Sequence, residues 1–347
     1  MAQKKKKSSP KKYIAPTVAL VVLIAIVTTL LLLHRQKIAN TETVTLYIPT
    51  GSDYQAVVDS LNAHQCIGNS TAFNTLARIR KYKDHVKGGC YKLKPGTSVW
   101  NVLTKLYYGN QDAIHLTINK HRTTKSLCTY IGKKLEMDGD TLLALLSDPA
   151  VCAQYNRTPQ TIIGLFLQNT YDIYWTTSPQ NLLERMQKES DTFWNNSRTK
   201  KCKALNLTTD EVITLASIVE EESNKNDEKP DIASVYLNRI RKGMLLQADP
   251  TLKYAVGDFS LRRILNKHMD ADSPYNTYKH RGLPPGPICI PSAASIDAVL
   301  KNKQTDYLYF CAKADFSGYH AFARTLTEHN ANAQAFHAEM NRRKIYK

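Results

Sequence analysis

The longest apolar stretch of the chain lies near its N-terminus. Residues 14–33 carry no charged side chain, and the run ends at His34 and Arg35. A helix of this length extends roughly 30 Å at about 1.5 Å per residue, which matches the hydrocarbon core of a bilayer. We therefore predict a transmembrane helix over residues 13–34. The length of the run and the lack of a small-residue cleavage motif after it disfavour a cleaved signal peptide. A buried soluble helix is disfavoured because only three threonines and Pro16 interrupt the apolar run.

Short alternating strands, each followed by an amphipathic helix, come next in the chain. Residues 43–48 alternate as a strand, turn at Pro49–Gly51 and lead into a helix for which we predict Ser52 as the N-cap. The same order recurs at residues 91–93, with Thr97 as the predicted cap of the following helix. Units of this kind resemble LysM-type peptidoglycan-binding modules, although general βα packing produces the same pattern.

These patterns place the chain in the α+β class. After the single transmembrane helix we predict a small LysM-like βα subdomain over residues 43–115 and a mixed α+β domain over residues 116–347. Within the second domain, residues 142–148 and 171–186 are predicted to be helical, with a break in the latter at Thr176–Pro179. A length of 347 residues suits roughly two domains of ordinary size.

Basic residues exceed acidic residues in this chain. There are 47 Lys and Arg against 30 Asp and Glu, a formal net charge of +17, and six of the lysines lie in residues 1–12. Because Lys and Arg are enriched on the cytoplasmic side of membrane spans, we predict a cytoplasmic N-terminal tail that contacts anionic membrane lipid. The remaining chain would then lie outside the cytoplasmic (inner) membrane, on the periplasmic side, where nucleic acid is not an expected partner.

The Cys and His residues do not form a recognisable metal motif. The seven cysteines lack C-x-x-C spacing, and most of them are predicted to be small buried hydrophobic residues. His320, Glu328 and His329 lack the H-E-x-x-H spacing of a zinc site. We therefore predict no metal and no cofactor.

Three consecutive glutamates end a predicted helix. T-x-x-E spacing at Thr208 marks its start as a capping box, and an apolar stripe continues to Val219. Helical spacing places Glu220 and Glu222 at the core-facing edge and Glu221 toward water. Burial, neighbouring like charges and the helix dipole would raise the pKa of the core-facing carboxyl groups. A glutamic acid kept protonated near neutral pH is what cleavage of a glycosidic bond requires, whereas a solvated acidic helix end is the alternative.

Several longer motifs follow the glutamates in a defined order. They are E-x-E at residues 220–222, A-S-V-Y-L-N-R at 233–239, L-Q-x-D-P-T at 246–251, S-P-Y-N-T-Y at 273–278, G-L-P-P-G-P-I at 282–288, Y-L-Y-F at 307–310, and two histidine-containing segments at 318–322 and 325–330. Together they resemble the endolytic murein transglycosylase family, also called MltG or YceG-like. The resemblance covers roughly residues 43–340, and the family has the same order of one span, a LysM-like subdomain and a catalytic domain.

The resemblance implies a bacterial lyase that cuts MurNAc–GlcNAc bonds within glycan strands and leaves 1,6-anhydro-MurNAc ends. In that family the first glutamate of E-x-E acts as acid and then as base, so the resemblance assigns the catalytic role to Glu220. The further candidates for holding Glu220 and the substrate are Glu222, Asn238, Gln247, Asp249, Tyr275 and Asn276. At residues 290–292 the family's N-P-G is replaced by I-P-S, a change that we expect to leave Glu220 unaffected.

The implied substrate is the peptidoglycan glycan strand, and the implied role is to terminate nascent strands. Peptidoglycan synthases are further candidate partners. Two alternatives stay open at this point. A muramidase-type hydrolase would use Glu220 with a second acid such as Asp249 or Glu328. A non-catalytic scaffold would bind peptidoglycan through the LysM-like subdomain without cutting it.

Overall fold

The computed structural model describes residues 11–344, except residue 69 and residues 262–263. The predicted cytoplasmic tail therefore lies outside the described residues, apart from Lys11 and Lys12, which begin the first helix. The described chain combines small two-stranded sheets with many helices, in agreement with the predicted mixed α+β class.

Two compact units make up the chain. The first unit reaches Ile114 and also includes Asp172–Thr176. The second unit comprises His115–Tyr171 and continues from Thr177. Both Ile114 and Asp172 belong to β-strands, so the chain passes between the units within regular structure.

The N-terminal helix α1 (Lys11–Arg35) contains the apolar stretch. Its segment Pro16–Leu33 is long and apolar enough to cross a membrane, and none of it is buried inside the protein. A helix that exposes apolar side chains on all sides is suited to lipid rather than to water. The helix is therefore compatible with the predicted single-pass membrane anchor over residues 13–34.

Two strands and three helices follow α1 in the first unit. The antiparallel strands β1 (Val44–Ile48) and β2 (Gly89–Leu93) pair from Val44 opposite Leu93 to Ile48 opposite Gly89. Helices α2 (Tyr54–Ala63) and α3 (Ser70–Ile79) lie between these strands in sequence, with a short 3₁₀ turn at Tyr82–Asp84, and α4 (Val99–Tyr108) follows β2. The five elements share one apolar core, which includes Leu46, Leu61, Phe73, Tyr91 and Leu103.

Both predicted N-caps in this unit are wrong by one residue. The side chain of Asp53, and not that of Ser52, accepts a hydrogen bond from the Ala56 N–H at 2.8 Å. Ser98, and not Thr97, caps α4 in the same way. In each case two residues suited to capping are adjacent, and the later one takes the extended backbone conformation of a cap.

The segment between α1 and β1 is hydrogen-bonded to the first unit. The Ile38 N–H donates to the Thr97 carbonyl at 2.9 Å, and the Gln36 carbonyl accepts from the Val99 N–H at 2.7 Å. Ile38 is also buried in the apolar core. The segment that follows the N-terminal helix is therefore held to the rest of the first unit.

Helices dominate the second unit. Its elements, together with the two strands that begin or end in the first unit, are β3 (Ala113–Ile118), α5 (Thr124–Gly132), α6 (Gly139–Ser147), α7 (Pro149–Gln154), a 3₁₀ turn at Ile162–Leu165, β4 (Asn169–Tyr174), α8 (Pro179–Phe193), α9 (Asn196–Leu205), α10 (Thr209–Glu222), α11 (Lys229–Arg241), α12 (Asp249–Val256), α13 (Asn266–Met269), α14 (Ala293–Leu300), β5 (Tyr309–Ala312), β6 (His320–Ala323) and α15 (Leu326–Arg342). Strand β3 pairs with β4, and β5 pairs with β6 in antiparallel orientation.

Strand β4 corrects the predicted helix over residues 171–186. Its buried residues Tyr171 and Ile173 alternate with exposed neighbours, as they do in a strand with one covered face. The helical part of the prediction begins only at Pro179, where Ser178 is the N-cap of α8.

Helix α10 lies at the centre of the core of the second unit. All eight residues of Val212–Val219 are buried, and they pack against side chains of α11 and α14 such as Ile232, Tyr236 and Val299. A helix covered on every side can present charged groups to solvent only near its ends. The three glutamates occupy the C-terminal end of this helix.

Candidate active site

The helix that carries the glutamates begins as predicted. The Thr208 Oγ1 accepts from the Glu211 N–H at 3.2 Å, and the Glu211 carboxylate accepts from the Thr208 N–H at 2.7 Å. The predicted capping box is confirmed, and Glu220, Glu221 and Glu222 fall in the last turn of α10. Successive residues of a helix point about 100° apart, so the three carboxyl groups face three different surroundings.

The Glu220 carboxylate accepts hydrogen bonds from residues of two neighbouring helices, α11 and α14. Its Oε2 accepts hydrogen bonds from Ser292 Oγ at 2.6 Å, from Ser295 Oγ at 2.5 Å and from Lys229 Nζ at 3.0 Å. The side chains of Glu220 and Lys229 are only 13% and 5% exposed. Burial favours a higher pKa for Glu220, but the hydrogen bonds and the Lys229 charge together lower that pKa below its ordinary value. The prediction of a raised pKa is therefore wrong for Glu220.

Ser292 belongs to the I-P-S sequence that replaces the family's N-P-G. It is the N-cap of α14, where its Oγ accepts from the Ser295 N–H at 3.3 Å. The same hydroxyl donates to Glu220. The expectation that this sequence change leaves Glu220 unaffected is therefore wrong.

Glu221 is also bound within the protein, although it was predicted to face water. Arg122 donates from Nε to Oε1 at 3.1 Å and from Nη2 to Oε2 at 2.8 Å, and Lys120 Nζ lies 3.2 Å from Oε1. Burial raises the pKa of Glu221, but Arg122 and Lys120 outweigh it and the pKa is lowered. The helical pattern missed these partners because they belong to the loop before α5, which covers this face of α10.

Glu222 differs from the other two glutamates in its partner. It accepts a hydrogen bond from a hydroxyl group, whereas Glu220 and Glu221 form ion pairs with cations. The Tyr236 hydroxyl donates to Glu222 Oε1 at 2.5 Å. Burial raises the pKa of Glu222 to about 7; the Tyr236 hydrogen bond opposes this increase, and the nearby charge of Asp249 adds to it. The predicted raised pKa is confirmed for this residue. Of the three carboxyl groups, Glu222 alone can change between its protonated and ionised forms near neutral pH.

Glu222 lines a cleft of about 370 Å³ in the second unit. The lining residues come from α10, α11, the segment that leads into α12, the loop before α14, β5 and α15; they are Glu222, Tyr236, Arg239, Leu246, Gln247, Asp249, Tyr278, Tyr309, Phe310, Leu326 and His329. Three residues of the predicted site, Glu222, Gln247 and Asp249, are therefore brought together in one cleft.

A second carboxyl group in the cleft is held by a second tyrosine. The Tyr278 hydroxyl donates to Asp249 Oδ1 at 2.5 Å. Asp249 is the first residue of α12, and a helix N-terminus favours negative charge. Burial and the Asp249 carboxylate raise the pKa of Tyr278, so this hydroxyl stays protonated and continues to donate. Glu222 and Asp249 thus line the same cleft, each with a tyrosine hydroxyl donating to it.

Asn238 contacts the protein scaffold behind the cleft. Its Nδ2 donates to the carbonyl oxygens of Thr305 and Tyr307, at 2.7 and 3.0 Å. These two carbonyls belong to the segment that leads into β5. The side chain therefore connects α11 to the strand that supplies Tyr309 and Phe310 to the cleft.

Asn276 and Tyr275 stabilise the loop that carries Tyr278. Asn276 is fully buried, and its Nδ2 donates to the carbonyl oxygens of Met269 and Ala271, both at 2.9 Å. The Tyr275 ring packs against a neighbouring tyrosine of α12 with a centroid distance of 4.6 Å. Both predicted site residues thus contact neighbouring parts of the protein itself.

Eight residues of the cleft were not predicted, among them Tyr236, Arg239, Tyr278 and His329. Tyr236 and Tyr278 stand inside the recognised motifs, and the signal that could have identified them is that a buried tyrosine hydroxyl needs a polar partner. His329 stacks on Tyr309 with a centroid distance of 5.4 Å. Burial and the Arg239 charge lower the pKa of His329, so a neutral imidazole faces the cleft.

The histidines weighed as metal ligands have other contacts. His320 Nδ1 lies 3.1 Å from Glu228 Oε1, and Glu328 completes the capping box of α15. Over the part of the chain that the structure describes, His, Cys, Asp and Glu side chains form no group of three or more that could hold a metal ion. All seven cysteines are free and six of them are buried, so their prediction as small buried residues is confirmed for most of them.

Comparisons with known proteins agree on one family. The family model described as the YceG-like family matches residues 46–335. A Bacillus subtilis (strain 168) protein named endolytic murein transglycosylase is 30% identical over 315 residues, which are 86% of this chain and 86% of the relative. A protein of the same name from Streptococcus pneumoniae serotype 2 (strain D39) is 27% identical over 333 residues, or 86% of this chain and 59% of that one. The crystal structure of a yceG-like protein from Listeria monocytogenes has a TM-score of 0.55 and 29% identity, and covers 84% of this chain and 99% of that chain.

Proposed function

The chain belongs to the YceG-like family, and we propose that it is a membrane-anchored endolytic transglycosylase of peptidoglycan. The relatives named endolytic murein transglycosylase support a lyase-type enzyme with peptidoglycan glycan strands as its substrate. The observation that carries the proposal is the cleft around Glu222, where a carboxyl group with a pKa of about 7 lies near the polar side chains of Gln247 and Asp249. The proposed reaction uses no metal or cofactor.

The general acid is assigned to Glu222 rather than to Glu220, the residue that the family resemblance indicated. A general acid must hold its proton at the working pH and must reach the substrate. Glu222 lines the cleft and has a pKa near 7. Glu220 is ion-paired with Lys229, and its pKa is lowered. Glu220 therefore serves to hold the end of α10 against α11 and α14.

A single carboxyl group acts twice in the proposed reaction. Glu222 first donates its proton to the glycosidic oxygen between MurNAc and GlcNAc while the bond from that oxygen to C1 breaks. The C6 hydroxyl of the same MurNAc then bonds to C1, closes a 1,6-anhydro ring and returns a proton to Glu222. Because the nucleophile is part of the substrate, no water is consumed. The Tyr236 hydroxyl donates to Oε1, which leaves Oε2 to carry the proton.

Asp249 supports the same step through its charge. An oxocarbenium-like transition state carries positive charge at C1, and a carboxylate in the same cleft stabilises that charge. Asp249 also contributes to the raised pKa of Glu222. In a muramidase-type hydrolase the same Asp249 would act as the second acid, so the reaction product has to distinguish the two mechanisms.

Mass spectrometry of digested peptidoglycan separates the candidate functions. We expect 1,6-anhydro-MurNAc ends from the wild-type protein, whereas reducing MurNAc ends would support the hydrolase. Glu222→Gln should release no product above background, and the matched variant Glu220→Gln should release the same products as the wild type. A wild-type protein that binds peptidoglycan and releases nothing would support the scaffold.

A groove in the first unit supports a LysM-like binding role. It has a volume of about 650 Å³ and is lined by residues of α2, α3 and the turn after α3, namely Tyr54, Gln55, Val58, Asn62, Ser70, Asn74, Ala77, Arg78, Lys81 and Lys83. Its aromatic and amide groups suit sugars, and its three cations suit the carboxylates of a peptide-bearing glycan. Charge reversal at Arg78 and Lys81 should weaken co-sedimentation of the full chain with insoluble peptidoglycan. The matched reversal at Lys200 and Lys201, on α9, should not.

The anchor helix and the substrate together suggest where the enzyme works. With the N-terminal tail in the cytoplasm, both units face the outer side of the cytoplasmic membrane, where new glycan strands emerge. Cleavage there would terminate growing strands and would place peptidoglycan synthases among the neighbouring partners. Cells that carry Glu222→Gln in place of the wild type should have longer glycan strands by chromatography. Unchanged strand lengths would contradict this role.

A further inference from the structure

Gln247 combines a strained backbone with a side chain in the cleft. Its φ of 51° lies in the left-handed region, which residues other than glycine seldom occupy. Its N–H donates to the Thr277 carbonyl at 3.1 Å, which holds this conformation. Its side chain is exposed and lines the same cleft as Glu222. Strain of this kind persists only where the surrounding structure enforces it, and it concentrates at sites that contact ligands.

Arg239 determines which way the Gln247 amide points. Its Nη1 donates to Gln247 Oε1 at 3.3 Å and to the Leu246 carbonyl at 2.8 Å, and its Nε donates to the Leu308 carbonyl at 2.7 Å. Arg239 is 8% exposed, so these contacts hold it in one place. A guanidinium group can only donate hydrogen bonds, so the amide oxygen of Gln247 must face it. The two N–H donors of the Gln247 amide are then directed to the cleft.

We infer that Gln247 Nε2 donates to the acetamido carbonyl oxygen of a bound N-acetylated sugar, and that this residue selects for N-acetylated glycan. The inference rests on the proposed function, because it concerns the same cleft. A sugar hydroxyl can donate or accept and therefore fits almost any partner, whereas an acetamido carbonyl only accepts. Loss of the acetyl group leaves an amine, and the ammonium form of that amine would face Gln247 as a second donor. An enzyme site discriminates more strongly against a substrate that leaves a polar group without a hydrogen-bond partner than against one that only lacks an apolar group.

Comparison of two proteins on two substrates tests the contact between Gln247 and the acetamido group. The rate of cleavage of N-acetylated glycan strands is divided by the rate for the same strands after de-N-acetylation, for the wild type and for Gln247→Gly. Glycine accepts the left-handed conformation, so the variant keeps the backbone of the site. Any intrinsic effect of the acetyl group on the chemistry is the same for both proteins and cancels in the comparison. We expect the preference of the wild type to exceed that of the variant by about tenfold or more.

Two further variants make the result specific. Gln247→Glu keeps the size of the side chain, removes both donors and adds a carboxylate that can accept from the ammonium group, so its preference should fall at least as far as that of Gln247→Gly. Tyr278→Phe removes the hydroxyl that donates to Asp249 and leaves the Gln247 amide in place, so it should keep the wild-type preference even if its rate falls. If both the wild type and Gln247→Gly cleave glycan and show the same preference for the N-acetylated form, the inference is overturned. A wild-type protein that cleaves neither substrate would instead refute the proposed function.

Discussion

Replacement of Glu222 by Gln tests whether this carboxyl group holds its proton inside the folded cleft. Burial raises its pKa from the ordinary 4.5 to about 7, so the folded state binds the proton more tightly than the unfolded state does. As the pH rises from about 4.5 through about 7, the unfolded chain loses its proton first and the folded protein loses stability. At about 1.4 kcal/mol per pH unit, the loss amounts to about 3 kcal/mol by about pH 8.

The Glu222→Gln variant has nearly the same shape and cannot ionise. Its amide oxygen can still accept the hydrogen bond that Tyr236 donates in the wild type. Between about pH 5 and about pH 8, we therefore expect its free energy of unfolding to rise by about 2.5 kcal/mol relative to the wild type. Urea unfolding of the full chain in detergent micelles, followed by tryptophan fluorescence, measures this difference at each pH.

Activity should follow the same titration. The proposed mechanism uses the protonated form of Glu222, so the wild-type rate should fall as the pH rises through about 7. The variant should be inactive over the whole range. If the stability of Glu222→Gln depends on pH in the same way as that of the wild type, the assignment of the raised pKa to Glu222 is refuted. Wild-type activity that stays constant from about pH 6 to about pH 9 would refute it as well.

Three further changes test neighbouring features. Asp249→Asn removes a charge that raises the pKa of Glu222, so the alkaline limb of the activity profile should move to lower pH; an unmoved limb would contradict the coupling. Glu220→Gln removes the partner of the buried Lys229 and should lower the free energy of unfolding by about 3 kcal/mol. Because the pKa of Glu220 is lowered, this loss should be largest above about pH 5 and should shrink in acid, while cleavage persists. Thr208→Ala should cost about 1 kcal/mol in urea unfolding, with unchanged products.

Helix α10 shows what could be predicted from sequence and what could not. Its capping box and its 3.6-residue apolar pattern are local signals, and both are confirmed in the structure. The partners of its glutamates are distant in sequence, since Arg122 precedes Glu221 by 99 residues and Ser292 follows Glu220 by 72. Periodicity indicates which face of a helix is covered, but it does not indicate whether the covering group is apolar, a hydroxyl or a cation. The pKa of Glu220 was predicted wrongly for that reason.

The strand at residues 171–174 illustrates the same limit for secondary structure. Over four residues, only Tyr171 and Ile173 mark the buried face, and such a short run fits a strand or one turn of a helix. The choice is made by pairing with β3, more than fifty residues earlier in the chain. By contrast, the cleft residues Glu222, Gln247 and Asp249 could be proposed in advance because each stands in a motif that resembles the family.

The three adjacent glutamates explain how one helix end can provide both rigidity and an acid. Like charges at a helix C-terminus oppose one another and the dipole, so three free carboxylates would destabilise the last turn. Lys229 compensates Glu220, while Lys120 and Arg122 compensate the next residue, and these ion pairs bind the turn to its neighbours. Glu222 can then be buried beside a tyrosine hydroxyl, with a proton in place of a cation. The lowered pKa values of the first two glutamates and the raised pKa of the third are therefore parts of one arrangement, in which the ion pairs hold the helix end that carries the proposed general acid.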